Sequence, residues 1–80
     1  MAEVEVLYFA ALAERRGVDR ERLQTSAASP AELYAELDGR HGLAFPQSSL
    51  RVAIDGAFVD WNSALSNGCE VVFVPPVSGG

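Results

Sequence analysis

Residues 29–42 read SPAELYAELDGRHG, and this stretch indicates the one well-capped helix of the chain. Ser29 suits the N-cap, a proline suits the first helical position, and Glu32 completes a capping box three residues after the cap. Apolar residues then recur at helical spacing, and they are Leu33, Tyr34 and Leu37. The pattern predicts a helix that begins after Ser29 and ends at Gly39 or Gly42.

Short strand patterns surround this helix. Alternating apolar residues and β-formers predict strands over residues 3–10, 22–25, 50–54, 57–60 and 70–74. A second, shorter helix is expected over residues 10–16, and Asp55-Gly56 is a strong two-residue hairpin turn signal. Strands around one main helix predict an α+β fold with a mixed sheet and the helix packed on one face. A β-grasp, ubiquitin-like roll fits this order and length.

The first strand predicts two unlike faces for the sheet. Glu3 and Glu5 alternate with valines, so the parity of the glutamates marks the outer, solvent-facing side. The same parity becomes apolar toward the end of the strand and in later strands, at Leu7, Phe9, Phe58, Val72 and Val74. The opposite strand parity and the apolar stripe of the helix together predict the core, which includes Val6, Tyr8, Leu33, Leu37, Ile54 and Phe73. An outer apolar patch of this size is typical of a partner surface, unless loops or the short helix cover it.

Length and charge exclude several classes of protein. The 80 residues, 8.5 kDa and 49% apolar content predict a single small globular domain. The net charge is −5, and all six basic residues are arginines, so nucleic-acid binding is not expected. The absence of lysine excludes a Schiff-base or P-loop lysine. No apolar run is long enough for a membrane span, and no secretory signal is expected at Met1.

Cysteine and histidine are too few for metal or disulfide chemistry. One His and one Cys cannot supply an ordinary metal site, and a single Cys69 predicts a reduced, cytoplasmic protein. Cys69 is interpreted as a small apolar residue at a strand start rather than a sulfur relay, and His41 as a helix-end residue rather than a general base. Trp61 either extends the outer patch or packs over the hairpin. We therefore expect no catalysis by the chain alone.

The last six residues predict a tail beyond the domain. The domain is expected over residues 1–74, and the extended, flexible tail consists of Pro75, Pro76, Val77, Ser78, Gly79 and Gly80. The prolines stiffen its start, while the glycines lack a Cβ and fit a narrow channel. The tail presents the carboxylate of Gly80, which is ionised and a poor acyl electrophile. An enzyme must activate this carboxylate, for example as an acyl adenylate, before a nucleophile can attack it.

Three motifs resemble one family over essentially the whole chain. They are Val6-Leu7-Tyr8-Phe9-Ala10, the turn Asn67-Gly68 before a Glu-Val-Val-Phe strand, and the ending Phe73-Val74-Pro75-Pro76-Val77-Ser78-Gly79-Gly80. Together they resemble the small subunit of molybdopterin synthase, the MoaD family of ubiquitin-like sulfur carriers. Two positions depart from the family pattern, since Cys69 stands where Asp is common and Asp55 where Asn is usual. Neither belongs to the tail.

The resemblance implies a reaction cycle with two partners. An E1-like adenylating and sulfurating enzyme uses ATP to adenylate Gly80, which becomes a thiocarboxylate; the carrier itself binds no cofactor. The tail then inserts into the large subunit of molybdopterin synthase, within a heterotetramer. There its sulfur is delivered to cyclic pyranopterin monophosphate, and two transfers form the dithiolene of molybdopterin for molybdenum cofactor biosynthesis. The resemblance also places Phe9, Phe58 and Val74 against the large subunit.

Three other functions remain open from the residues alone. A ubiquitin-like protein modifier uses the same kind of Gly-Gly tail. A sulfur carrier for another pathway, such as thiamine or cysteine synthesis, uses the same chemistry. An interaction module with an inert tail needs only the outer patch.

Overall fold

The computed structural model describes residues 1–76, and the predicted tail residues 77–80 lie outside the described part. The strands are β1 (Ala2–Tyr8), β2 (Arg20–Thr25), β3 (Arg51–Ile54), β4 (Ala57–Val59) and β5 (Glu70–Val74). The α-helices are α1 (Ala11–Arg16) and α2 (Pro30–His41), and a short 3₁₀ helix covers Gln47–Ser49. No helix within the described range is long and apolar enough to cross a membrane.

The five strands form one mixed sheet in the order β2-β1-β5-β3-β4. The central pair β1 and β5 is parallel, whereas β1–β2, β3–β5 and β3–β4 are antiparallel. The apolar stripe of α2 packs into the core with the inner face of this sheet. This topology is the ubiquitin-like β-grasp roll, and it confirms the predicted α+β fold.

Helix α2 begins and ends as its sequence predicts. The Ser29 hydroxyl accepts a hydrogen bond from the Glu32 amide at 3.3 Å. The Glu32 carboxylate accepts a hydrogen bond from the Ala28 amide at 2.9 Å. The reciprocal bond of the capping box therefore comes from the residue before the N-cap instead of from Ser29 itself. Of the two candidate glycines, Gly42 ends the helix, because it adopts the left-handed conformation (φ 63°), while Gly39 lies within the helix.

The hairpin between β3 and β4 also follows its sequence signal. Asp55 and Gly56 both have positive φ, 50° and 88°, as a two-residue type I′ turn requires. The Asp55 carboxylate accepts a hydrogen bond from the Glu70 amide at 2.9 Å, and the Asp55 amide donates to the Glu70 carbonyl at 2.9 Å. The turn is therefore tied to the start of the central strand β5.

Strand bounds differ from the sequence prediction by one or two residues in β1, β2, β3 and β4. β1 ends at Tyr8 instead of residue 10, because Ala10 turns the chain with φ 52° and ψ −124°. β2 begins at Arg20, two residues earlier than predicted, because Arg20 pairs with Leu7. β4 ends at Val59, one residue earlier than predicted.

The core agrees closely with the predicted parity. Its buried members from the sheet are Val4, Val6, Tyr8, Val52, Val71 and Phe73, and those from α1, α2 and the loops include Leu12, Leu33, Tyr34, Leu37, Leu43, Leu50 and Cys69. Ile54 is only half-buried and packs against the edge of this cluster. The side of the sheet that faces α2 is therefore buried in the core, and the other side faces outward.

Candidate functional site

The outer face of the sheet carries an apolar row that crosses four strands. Leu7 of β1 lies opposite Val72 of β5. Val72 lies opposite Ala53 of β3, and Ala53 lies opposite Phe58 of β4. Because neighbouring strands lie ~4.8 Å apart, this row is about 15 Å long. Sequence parity predicted Leu7, Val72 and Phe58 on one face and missed Ala53, whose strand partners were unknown.

A second row lies one step closer to the C-terminal end of β5. Val74 pairs with Arg51 of β3. Phe9 follows directly after Tyr8, the partner of Phe73, so Phe9 continues the same row beside Val74. Toward the N-terminal ends of β1 and β5, the corresponding outer-face row is acidic, since Glu5 lies opposite Glu70. The outer face is therefore apolar only near the ends of β1 and β5.

Exposure within the patch is uneven. Phe9 and Phe58 are 49% and 58% exposed, and they stand at the two sides of the patch. Leu7 and Val74 are half-buried. Val72 is only 8% exposed, which corrects the expectation of an open side chain, because it sits between Leu7 and Ala53 in the middle of the sheet. The patch thus has two protruding aromatic side chains and a closed aliphatic floor.

The start of the tail lies at the same edge as this patch. β1 and β5 are parallel, so Phe9 and Pro75 leave the sheet at the same end. Pro75 is half-buried and Pro76 is exposed. The predicted site residues Val77, Ser78, Gly79 and Gly80 lie outside the described residues, and their roles stay predictions.

A tight turn holds Phe9 at this edge. The Leu12 amide donates to the Phe9 carbonyl at 3.1 Å and closes a four-residue turn. Ala10 occupies its first central position with φ 52° and ψ −124°, a conformation that favours glycine. Sequence reasoning missed this turn, because a strand followed by an alanine-rich helix gives no glycine signal.

A charged network fastens α1 to the inner side of β1 and β2. The Tyr8 hydroxyl donates to the Glu21 carboxylate at 2.6 Å, and Arg16 donates to both oxygens of that carboxylate at 2.9 and 2.7 Å. Burial, together with the adjacent carboxylate, raises the pKa of Tyr8 above its usual value. The hydrogen bonds from Arg16 hold the pKa of Glu21 below its usual value. The network stabilises the strand that presents Leu7 and Phe9.

One arginine belongs to the apolar part of the outer face. The Arg51 guanidinium lies over the Phe58 ring, with its carbon 4.1 Å from the ring centroid. A cation over an aromatic face is attracted by the ring quadrupole. Arg51 was absent from the predicted partner surface, since a charged residue gave no signal within an apolar pattern.

The remaining candidate residues take structural positions. Trp61 stacks on Phe73 with ring centroids 5.9 Å apart and meets the Tyr34 ring edge-on at 6.1 Å. It therefore packs against the core and does not extend the outer patch. Cys69 is buried next to the start of β5, as a small apolar residue would be. Within residues 1–76 no group of three or more His, Cys, Asp or Glu side chains is arranged to hold a metal ion.

Known proteins are similar to this chain in sequence and in fold. The sequence model of the ThiS family matches residues 6–80. A molybdopterin synthase sulfur carrier subunit from Haemophilus influenzae is 36% identical, in an alignment that covers 96% of this chain and 99% of that protein.

Two solved structures are similar in fold. The crystal structure of SAMP1 from Haloferax volcanii superposes with a TM-score of 0.82 at 27% identity, covering 99% of this chain and 100% of that one. A chain of the complex of subunits 1 and 2 of molybdopterin-converting factor from Helicobacter pylori superposes with a TM-score of 0.68 at 26% identity, covering 98% and 99%. Since the family match spans nearly all residues and the fold agrees, this chain belongs to the ThiS family.

Proposed function

We propose that this chain is the sulfur carrier subunit of a molybdopterin synthase. The observation that carries the proposal is the placement of the outer apolar patch and the start of the tail at one edge of the sheet. A partner that covers the patch receives the tail at the same time. The names of the Haemophilus relative and of the Helicobacter complex support a large subunit as that partner.

In this proposal Gly80 is the reactive residue. An E1-like enzyme uses ATP to convert its carboxylate into an acyl adenylate, which makes the carbonyl carbon electrophilic. A sulfur donor then displaces AMP and leaves a thiocarboxylate. The thiocarboxylate sulfur attacks cyclic pyranopterin monophosphate in the active site of the large subunit and replaces an oxygen substituent. Water then cleaves the acyl–sulfur bond and restores the Gly80 carboxylate, and two such transfers form the dithiolene of molybdopterin.

The domain contributes docking and delivery, and the partners contribute catalysis. Phe9 and Phe58 protrude and suit pockets of a partner, while Leu7, Val72 and Val74 provide a flat apolar floor. Pro75 and Pro76 direct the tail away from the sheet, and residues 77–80 enter the partner. The tail carries no basic residue, and the six arginines and one histidine of the chain all belong to the domain, so the basic groups that neutralise an anionic thiocarboxylate inside the partner come from the large subunit.

Intact-mass measurement tests the first half of the cycle. Incubation with the adenylating enzyme, ATP and a sulfur source should convert the full-length chain to a species heavier by one sulfur-for-oxygen exchange. A variant that lacks Gly80 should keep the thermal midpoint of the native fold and gain no sulfur. Sulfur transfer to the pterin by the variant without Gly80 contradicts the proposal.

Single-turnover conversion of the pterin precursor tests the delivery step. Gly79→Val should bind the large subunit through the sheet patch with nearly native affinity. It should nevertheless lose turnover, because a β-branched side chain widens the tail and restricts its backbone. Full turnover by Gly79→Val, or turnover by the carrier without its partner, argues against tail insertion.

Two alternatives use the same tail. A ubiquitin-like protein modifier predicts higher-mass conjugates on blots of cell lysates, and loss of Gly80 abolishes them. A sulfur carrier for thiamine or cysteine synthesis predicts a thiocarboxylate that forms normally but does not convert the pterin precursor. The inert-tail module predicts no change in mass under any of these conditions.

A further inference from the structure

Arg51 is the arginine that lies over the protruding Phe58 in the apolar part of the outer face, whereas Arg20, opposite Leu7, lies at the margin of the patch. Arg51 pairs with Val74, the residue before the tail, and its guanidinium covers the Phe58 ring at 4.1 Å. The side chain therefore lies between the protruding aromatic residue and the start of the tail. Any partner that covers the patch also covers Arg51.

Most other arginines already have acceptors on the chain itself. Their partners are Glu21 for Arg16 at 2.7 Å, Glu5 for Arg20 at 3.6 Å, Glu36 for Arg40 at 2.9 Å and the Leu43 carbonyl for Arg15 at 2.7 Å. Asp60 lines the same cleft as Arg51 and Phe58, but no carboxylate of residues 1–76, Asp60 included, forms an ion pair with Arg51. Arg22 shares this property but lies on the edge strand β2, outside the apolar patch.

Burial by a partner changes the electrostatics of Arg51 sharply. In the free protein water solvates its N–H groups. A partner that covers Phe58 and Val74 removes this water, and a buried charge without an acceptor is strongly unfavourable. The Phe58 ring lies against the guanidinium carbon and accepts none of its conventional hydrogen bonds, so the N–H groups of Arg51 stay available. A carboxylate fits this fork with two parallel hydrogen bonds.

We propose that Arg51, stacked on Phe58, is a specificity-determining residue of the outer face and binds an Asp or Glu carboxylate of the large subunit. The inference rests on the proposed function, since it takes the large subunit as the protein that covers this face. It adds that the partner surface is apolar and carries one acidic side chain opposite Arg51. Apolar surfaces without that carboxylate are rejected, because they leave the arginine buried and unpaired.

The substitution Arg51→Leu distinguishes an arginine that binds a partner carboxylate from one that the interface merely accommodates. If a partner carboxylate binds Arg51, the leucine leaves that carboxylate buried without a donor, and Kd for the large subunit should rise ~30-fold or more. If Arg51 is merely tolerated in an apolar interface, leucine removes a desolvation cost and Kd should stay equal or fall. The two outcomes have opposite signs, and unchanged or tighter binding by Arg51→Leu overturns the inference.

Arg51→Lys and a control at Arg40 complete the experiment. Lysine keeps the charge but lacks the planar fork, so Arg51→Lys should weaken binding less than Arg51→Leu, by ~5- to 10-fold. Arg40→Leu removes the same charge from α2, on the other side of the sheet, and should change Kd less than ~3-fold. Thermal midpoints within a few degrees of the native protein show that the variants fold, as expected for exposed side chains. Equal losses at Arg51 and Arg40 reduce the effect to net charge and reject the inference.

The two proposals fail in different ways. If the native chain binds the large subunit and transfers sulfur, and the Arg51→Leu variant binds with equal affinity, only the role of Arg51 is rejected. Native chain that does not bind the large subunit at all rejects the proposed function, and the inference about Arg51 falls with it.

Discussion

The two faces of the sheet are built from the same strands but are completed differently. On the inner face Val6, Tyr8 and Phe73 are fully buried beneath the helices. On the outer face Leu7 and Val74, their sequence neighbours, are half-buried, while Phe9 and Phe58 remain 49% and 58% exposed. One face therefore stabilises the fold, and the other is available for binding.

This difference separates stability from function along single strands. Because side chains alternate, a substitution at one position affects the core and a substitution at the next affects the outer face. The network of Tyr8, Arg16 and Glu21 stabilises the margin of the inner face, whereas on the outer face no carboxylate of residues 1–76 forms an ion pair with Arg51. Substitutions on the two faces should accordingly give opposite patterns of stability and affinity.

The largest effect on stability is expected at Phe73. Phe73→Ala removes a fully buried ring that contacts both Trp61 and Tyr34. The free energy of unfolding should fall by ~3–5 kcal/mol, as for large-to-small changes in other cores. Phe58→Ala is the matched outer-face control and should lose less than about 1 kcal/mol. Urea unfolding of both variants measures the contrast, and equal losses contradict it.

Phe9→Asp should show the reverse pattern. A charge on this half-exposed ring should weaken binding to the large subunit by ~30-fold, the size of an interface hot spot. The free energy of unfolding should change by less than about 1 kcal/mol. Ala35→Asp is the control, because Ala35 is exposed on α2, on the other side of the sheet. A loss of stability beyond ~3 kcal/mol for Phe9→Asp places Phe9 in the core instead.

Glu21→Gln tests how much the network of Tyr8, Arg16 and Glu21 contributes to stability, measured as the pH dependence of the free energy of unfolding. The pKa of Glu21 is lowered in the fold, so its contribution to stability is present above the ordinary value of 4.5 and is lost as pH falls through the folded pKa. At pH 7 the variant should be less stable by ~1 kcal/mol, since the pair with Arg16 is partly exposed. The difference should vanish in acid. Glu14→Gln, an exposed control on α1, should change the free energy of unfolding at pH 7 by less than about 0.5 kcal/mol.

The smallest effect is expected where the chain leaves β1. Ala10→Gly should raise the free energy of unfolding by ~0.5–1 kcal/mol, because glycine adopts φ 52°, ψ −124° without a Cβ clash. Ala11→Gly, one residue later and within α1, should lower it by ~1 kcal/mol. Opposite signs at adjacent alanines confirm the turn. A loss of stability at both positions shows that Ala10 is not strained.

Local signals predicted much of this molecule because they act within a few residues. The capping box at Ser29 and the turn at Asp55-Gly56 depend on side chains close to the backbone groups that they satisfy. The parity of β1 follows from alternation alone, and Glu3 and Glu5 oriented it. The same locality explains the failures, since neither the Ala10 turn nor the Tyr8–Glu21 hydrogen bond has a neighbouring residue that signals it.

The sequence by itself determined the elements, the two faces of the strands and the family-like tail. Only the tertiary structure decided which strands are neighbours, and this order places Val72 in the middle of the outer face, Phe9 and Phe58 at its sides, and Arg51 over Phe58. The physical reason is the separation along the chain of the residues that interact. Alternation and capping are set by adjacent residues, whereas coverage, exposure and ion pairing depend on strands that are distant along the chain and meet only in the folded sheet.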